Sequence, residues 1–161
     1  MATTISSTAT TNMQANDGAI TRARSWTLND FNDLAVPAGA TILGIELLMD
    51  MAGSSLTNGG AYFKVNNGTS DSSAKAPTTN FTAYTTFSNM TVGASDDLWG
   101  LSWTPATANN ITAKWDVNYH SGGSTAYFDH VQIRITFTEL VGGKITLSSG
   151  RIVVPQGKII L

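Results

Sequence analysis

An all-β fold, an antiparallel β-sandwich of jelly-roll type, follows from three features of the chain. Apolar and polar residues alternate with period two in several segments, no window carries apolar residues at i, i+3, i+4 and i+7 over three turns, and the connections are built from Gly, Asn and Ser. Thr, Asn and Gly, all poor helix formers, are spread evenly along the chain. Several short strands with turn chemistry between them and no helices are the pattern of two sheets packed face to face.

Residues 1–16 are rich in Thr, Ser and Ala without periodicity, which predicts an extended, flexible N-terminal arm. Ile20 to Leu28 alternates around Trp26 and is the first predicted strand. Thr41 to Met51 is more continuously apolar, as in a buried strand. Ala61 to Val65 is a short strand stopped by the turn residues Asn66, Asn67 and Gly68. Thr82 to Phe87 is another, and Ile111 to Tyr119 puts Ile111, Ala113, Trp115, Val117 and Tyr119 on one face. The clearest alternation is Ala126 to Thr138, with Tyr127, Val131, Ile133, Ile135 and Phe137 inward and His130, Gln132, Arg134, Thr136 and Thr138 outward. Gly53 to Gly60, Asn66 to Asn80, Gly93 to Asp97, Pro105 to Asn110 and Ser121 to Ser124 are predicted connections.

The last residues differ from the rest. Gly143-Lys144-Ile145, Gly150-Arg151-Ile152 and Gly157-Lys158-Ile159 recur at a spacing of seven, each Gly and base leading into an apolar segment. Gly, Pro155 and the run Ile152-Val153-Val154 oppose a helix, so the repeat reads as three very short strands. Such strands are marginal alone. They either close the domain's own sheet or form an arm that completes a contact by strand addition. The contact residues expected on the second alternative are Ile145, Leu147, Arg151, Ile152, Val154, Lys158, Ile159 and Leu161. The predicted organisation is an N-terminal arm over 1–16, a sandwich over 17–140 and a short-strand C-terminal arm over 141–161.

Composition excludes several classes of function. Charged residues make up 12% of the 161, against about 25% in an average domain. With a net charge of -2 and no basic run, the chain is not built to displace counterions from nucleic acid. It has no cysteine, hence no disulfide framework and no thiolate metal site. The stretch Ile42 to Ala52 is interrupted by Glu46 and Asp50 and is too short to cross a bilayer, and the N-terminus lacks the basic and apolar regions of a signal peptide. A protein made in the cytoplasm and not exported by a signal peptide is therefore expected. The N-x-S/T triplets at Asn67, Asn80, Asn89 and Asn110 are about what so much Asn, Ser and Thr yields by chance.

No catalytic, metal or cofactor site is predicted. Asp129 and His130 are adjacent on a strand and point to opposite faces, so they do not chelate one ion together, and His120 sits beside a Ser-Gly-Gly loop. Asp96-Asp97 reads as a turn pair capping backbone amides rather than as a proton-sharing dyad. No nucleophile elbow, phosphate loop or dinucleotide fingerprint is present. Asp129 is singled out as a structural buried polar group, since by alternation it shares the inward face and needs hydrogen-bond donors there. Trp26 and Trp115 read as core. Trp99 and Trp103, four residues apart in Asp97 to Thr104, are either core or an exposed aromatic contact of the kind that stacks on sugars.

Three segments carry a resemblance. Pro37-Ala38-Gly39-Ala40-Thr41-Ile42-Leu43-Gly44-Ile45-Glu46, Asp97-Leu98-Trp99-Gly100 and Asp129-His130-Val131-Gln132-Ile133-Arg134-Ile135 resemble, in the same order, the P-x-G-A-T-I-x-G-I-E, D-L-W-G and D-x-V-x-I-x-V segments of β-sandwich virion proteins of tailed bacteriophages, including capsid decoration (cement) proteins and fibre or tail modules. The resemblance runs from about Asp17 to Thr138 and brings no enzymatic residue with it. It implies a structural protein of the virion, at the capsid surface, binding the major capsid protein or other virion proteins as a homo-oligomer, with a trimer the first expectation. It implies no nucleic acid, membrane or cofactor as partner. The competing expectation is a tail or fibre component or a carbohydrate-binding adhesin module that binds glycan through Trp99, Trp103 and the Asn/Thr loops.

Overall fold

The computed structural model describes residues 2–7, 21–23, 25–31, 33–54, 61–76, 87–117, 125–139, 146–148 and 151–153. The described chain is all-β, with strands β1 (Ala2–Ser7), β2 (Thr21–Ala23), β3 (Ser25–Leu28), β4 (Thr41–Ser54), β5 (Ala61–Asn66), β6 (Ser88–Ala94), one helical turn α1 (Pro105–Asn109), then β7 (Thr112–Val117), β8 (Thr125–Thr138), β9 (Thr146–Ser148) and β10 (Arg151–Val153). The larger antiparallel sheet has the order β1-β8-β4-β6, with β2 also on β8, and the smaller has the order β3-β7-β5. The predicted strand Ile20 to Leu28 is therefore two strands. Its first part pairs with Phe128, Tyr127 and Ala126 in the larger sheet and its second with β7 in the smaller one.

Three expectations are corrected. Ala2–Ser7, within the predicted arm, is a strand in antiparallel register with Phe137 to Gln132 of β8. Its Thr-rich sequence lacks apolar alternation because an edge strand gains its stability from the backbone ladder. Ser88–Ala94 is a strand paired with Ile45 to Met51, although its sequence was not read as one and Gly93 was assigned to a connection. Pro105 to Asn110, read as a connection, contains α1. Thr104 accepts from the Thr107 amide, Thr107 accepts from the Thr104 amide, and Pro105 occupies the first turn, where a missing N–H costs nothing. The predicted strand Thr82 to Phe87 lies, but for Phe87, outside the described residues, and of the predicted strand Ile111 to Tyr119 the part Thr112–Val117 is β7, residues 118–120 lying outside the described residues.

The core faces follow from alternation along β4 and β8. Ile45, Leu47, Met49 and Met51 of β4 and Val131, Ile133, Ile135 and Phe137 of β8 are buried, and Glu46, Leu48, Asp50, His130, Gln132 and Arg134 lie on the opposite face. Two irregularities interrupt this pairing. Asp50 opposes His130 but Met51 opposes Phe128, so Asp129 is an extra residue in β8. The bulge reverses the phase, and Phe128 points into the core in place of the predicted Tyr127, which is half-buried. Phe128 then meets the smaller sheet. Its ring lies 5.5 Å from Trp26 and 5.3 Å from Trp115, both edge-on, and Trp115 lies 4.6 Å from Phe63. Such pairs add about 0.5–1.5 kcal/mol each beyond the area they bury.

The C-terminal repeat is described only in its backbone. β9 and β10 form a hairpin with Leu147 opposite Ile152 and Ser148 opposite Arg151. Ile145, Val154, Lys158, Ile159 and Leu161 lie outside the described residues.

Candidate functional site

The polar and aromatic residues singled out in the sequence divide between two places. The first is a packed node at one end of β4. Asp97 accepts the Trp99 amide N–H at 2.8 Å and its own carbonyl accepts the Ile45 amide at 3.0 Å. This turn holds Trp99 at a φ of 58°, a conformation uncommon for a bulky residue, and drives the indole inward. Trp99 is 1% exposed and its Nε1–H donates to the Ile45 carbonyl at 2.8 Å. Lys75 closes the outside, with Nζ 2.8 Å from Asp97 and 5.1 Å from the centre of the Trp99 ring.

Trp99 is therefore core and not an exposed aromatic contact. The positive φ of Trp99 and Gly100 breaks the extended run that the spacing assumes. Trp103 is part-buried against the core, and its Nε1–H donates to the Leu98 carbonyl at 3.0 Å. Glu46, next to Ile45, faces the other way and receives two bonds from Arg134, Nε to Oε2 and Nη2 to Oε1, each 2.7 Å. Two successive residues of β4 thus join the second sequence segment, Ile45 through Trp99, and the third, Glu46 through Arg134.

Asp129 is 4% exposed at the bulge and close enough to Asp50 for their charges to repel. Burial, then Asp129, raises the Asp50 carboxyl above its ordinary value, against a smaller opposing effect of His130. Among the described residues no group of three or more His, Asp or Glu side chains is arranged to hold a metal ion, and no helix is long and apolar enough to cross a membrane.

The second place is a cavity of about 310 Å³ on the smaller sheet, lined by Trp26, Thr27, Tyr62, Lys64, Asp71, Lys114 and Trp115. Thr27, Lys114 and Lys64 form one cross-strand row through β3, β7 and β5. They lie on the face opposite to Trp26, Trp115 and Phe63, which supply the core row beside them. Asp71 is brought here by the Asn66-Asn67-Gly68 turn. Gly68 has a φ of 89°, Asn66 accepts the Gly68 amide and Asn67 accepts the amides of Thr69 and Ser70. The chain then returns along β5, where Ser72 accepts the Val65 amide and Lys75 bridges to Phe63.

Asp71 Oδ1 accepts from Lys114 Nζ and from Asn66 Nδ2, both at 2.6 Å, and these bonds hold its carboxyl below the usual carboxylate range. Lys64 Nζ stands 5.4 Å from the centre of the Tyr62 ring. None of Tyr62, Lys64, Asp71 and Lys114 was singled out from sequence. Alternation alone places Tyr62 and Lys64 on one face of β5, but only the strand order brings Lys114 beside them. No protein-family model matches the chain, and neither a curated protein nor a solved structure does.

Proposed function

We propose that the chain is a non-enzymatic structural protein of a tailed-phage virion, a capsid decoration protein whose two sheets form a jelly-roll-like sandwich. In this reading it sits at the capsid surface as a homo-oligomer, a trimer in the first instance, and its terminal segments contact the major capsid protein. The observation that supports it is the meeting of the three resembling segments at Ile45 and Glu46. Trp99 of the second segment bonds the Ile45 carbonyl and Arg134 of the third bonds the Glu46 carboxylate, so the likeness belongs to one packed unit rather than to three unrelated strings. The low charge fits a subunit whose surface meets neighbours, and contacts made only in the assembled state stabilise a shell by linkage.

The test is removal of residues 143–161. The truncated protein should keep its β circular dichroism and its melting transition yet fail to join particles, as read by mass spectrometry and electron microscopy of purified virions. Normal incorporation would refute the C-terminal attachment, and absence of the full chain from particles would refute the virion assignment. A second reading, a carbohydrate-binding tail or fibre module, draws its support from the cavity on the smaller sheet, since Trp99 is buried and Trp103 part-buried.

A further inference from the structure

We infer that the cavity on the smaller sheet binds an acidic saccharide residue, with Lys64 and Lys114 receiving the ligand's carboxylate, Tyr62 packing against the sugar ring and Asp71 accepting from its hydroxyls. The inference is independent of the virion assignment. It starts from a violation of ordinary sheet chemistry. Lys64 and Lys114 are direct cross-strand partners on the same face, an arrangement in which like charges repel and weaken the pairing. A fold with only 9 Lys and Arg residues in 161 has no need to set two of them opposite each other. Local rules broken without a structural gain are characteristic of binding sites.

The repulsion is only half relieved. Lys114 is paired with Asp71 at 2.6 Å, while the Lys64 ammonium rests near the Tyr62 ring and is attracted to the same Asp71 carboxylate only through space. The cavity lining holds two ammonium groups and one carboxylate, and Asp116, opposite Tyr62, is the next charged position on the same face of β7. An anionic group entering there would relieve the Lys64–Lys114 repulsion, which a neutral ligand would not.

The remaining groups argue for a sugar over a simple anion. Both bonds to Asp71 fall on Oδ1, and among the described residues no donor reaches Oδ2. A carboxylate oxygen left in that state repels a phosphate dianion but accepts from a hydroxyl. Thr27 adds a hydroxyl in the same row, and the Tyr62 ring, with Lys64 near it, is part of the lining. The cavity of about 310 Å³ is at the lower end of the usual range for ligand sites, about 300–1,000 Å³, which suits one sugar residue and not a long chain.

The experiment uses the full chain and ligand-observed NMR, backed by titration calorimetry. The probes are sialyllactose and a glucuronate-terminated disaccharide, with lactose as the neutral control and inorganic phosphate as the bare anion. The acidic sugars should bind at least tenfold more tightly than lactose, weaken as salt is raised from 50 to 500 mM, and resist competition by equimolar phosphate. Lys64→Gln should remove the preference for acidic sugars, and Tyr62→Ala should lower affinity for both, with melting temperatures of both variants close to that of the parent. Trp103→Ala should leave binding unchanged. Equal binding of lactose, displacement by phosphate, no binding of any probe, or full retention of selectivity in Lys64→Gln would each overturn the assignment.

Discussion

The Trp99 indole N–H donates to the Ile45 carbonyl at 2.8 Å, joining two residues 54 positions apart. That bond needs Gly93. Its φ is 92°, and a Cβ there would stand 2.3 Å from the Ile45 oxygen and 2.8 Å from Trp99 Nε1. Gly93→Ala must therefore displace either the β4 backbone or the indole, at a cost of about 3–5 kcal/mol. Gly100, next to Trp99, also has a positive φ, 69°, but nothing lies within 4 Å of the space its Cβ would take. Gly100→Ala should cost only the conformational strain, about 1–2 kcal/mol. Urea unfolding of the two variants against the parent checks the difference.

Glu46 and Arg134 should show unequal losses when each is replaced. The Glu46 side chain is 10% exposed and that of Arg134 is 38% exposed, so the carboxylate is the partner that depends on the pair. Arg134→Met keeps the apolar stem and leaves a buried carboxylate unpaired, at a cost of about 2–3 kcal/mol. That is below the figure for a fully buried pair, because water reaches the guanidinium side. Glu46→Gln leaves a guanidinium that solvent can hydrate and should cost about 1 kcal/mol. A double-mutant cycle read by denaturant melts measures the coupling. Equal losses for the two single variants would show that the carboxylate is solvated some other way.

Phe128→Ala should destabilise the protein by about 3–5 kcal/mol, and Tyr127→Ala by much less. Phe128 is fully buried between Trp26 and Trp115, whereas Tyr127 is half-buried. The same pair of residues marks how far the sequence is legible. From Val131 to Ile135 alternation gives every core residue correctly, because nothing interrupts that part of the ladder; Phe137 is also buried as expected, but Thr136, expected outward, is 1% exposed beside the register shift between Ile42 and Gly44. Two residues before Val131 the bulge at Asp129 inverts the phase, and a bulge depends on the pairing of β4 with β8, which no local pattern contains. β1 and β6 were missed for a related reason. β1 has little apolar content and takes its strand geometry from β8, whereas β6 has only a short alternation, Met90, Val92 and Ala94, with Gly93 within it. The cavity residues were hidden in the same way. Lys114 lies 50 residues from Lys64 in the chain, and only the order β3-β7-β5 makes them partners.

Asp50→Asn should stabilise the protein at neutral pH or leave it unchanged, with the gain disappearing in acid. Asp50 is 9% exposed on β4 beside the bulge, opposite His130 on one side and Asn89 on the other. Burial raises its carboxyl above the ordinary value of 3.8, Asp129 raises it further, and His130 acts in the opposite direction. A folded-state value above the unfolded one means that the folded chain holds the proton more tightly, so acid favours folding at this site. The contribution is fully present below about pH 3.8, the ordinary value, and is lost as pH rises through the raised one. At pH 7 the parent therefore carries the cost of an ionised carboxylate that is poorly hydrated and close to Asp129. Asn removes that charge while keeping the shape. Melting temperatures from pH 3 to 7 should run together for parent and variant at the acid end and separate, with the variant higher, as pH rises towards 7. A parent that stays the more stable at pH 7 would mean that the Asp50 carboxylate makes a favourable contact which outweighs its desolvation and its repulsion from Asp129.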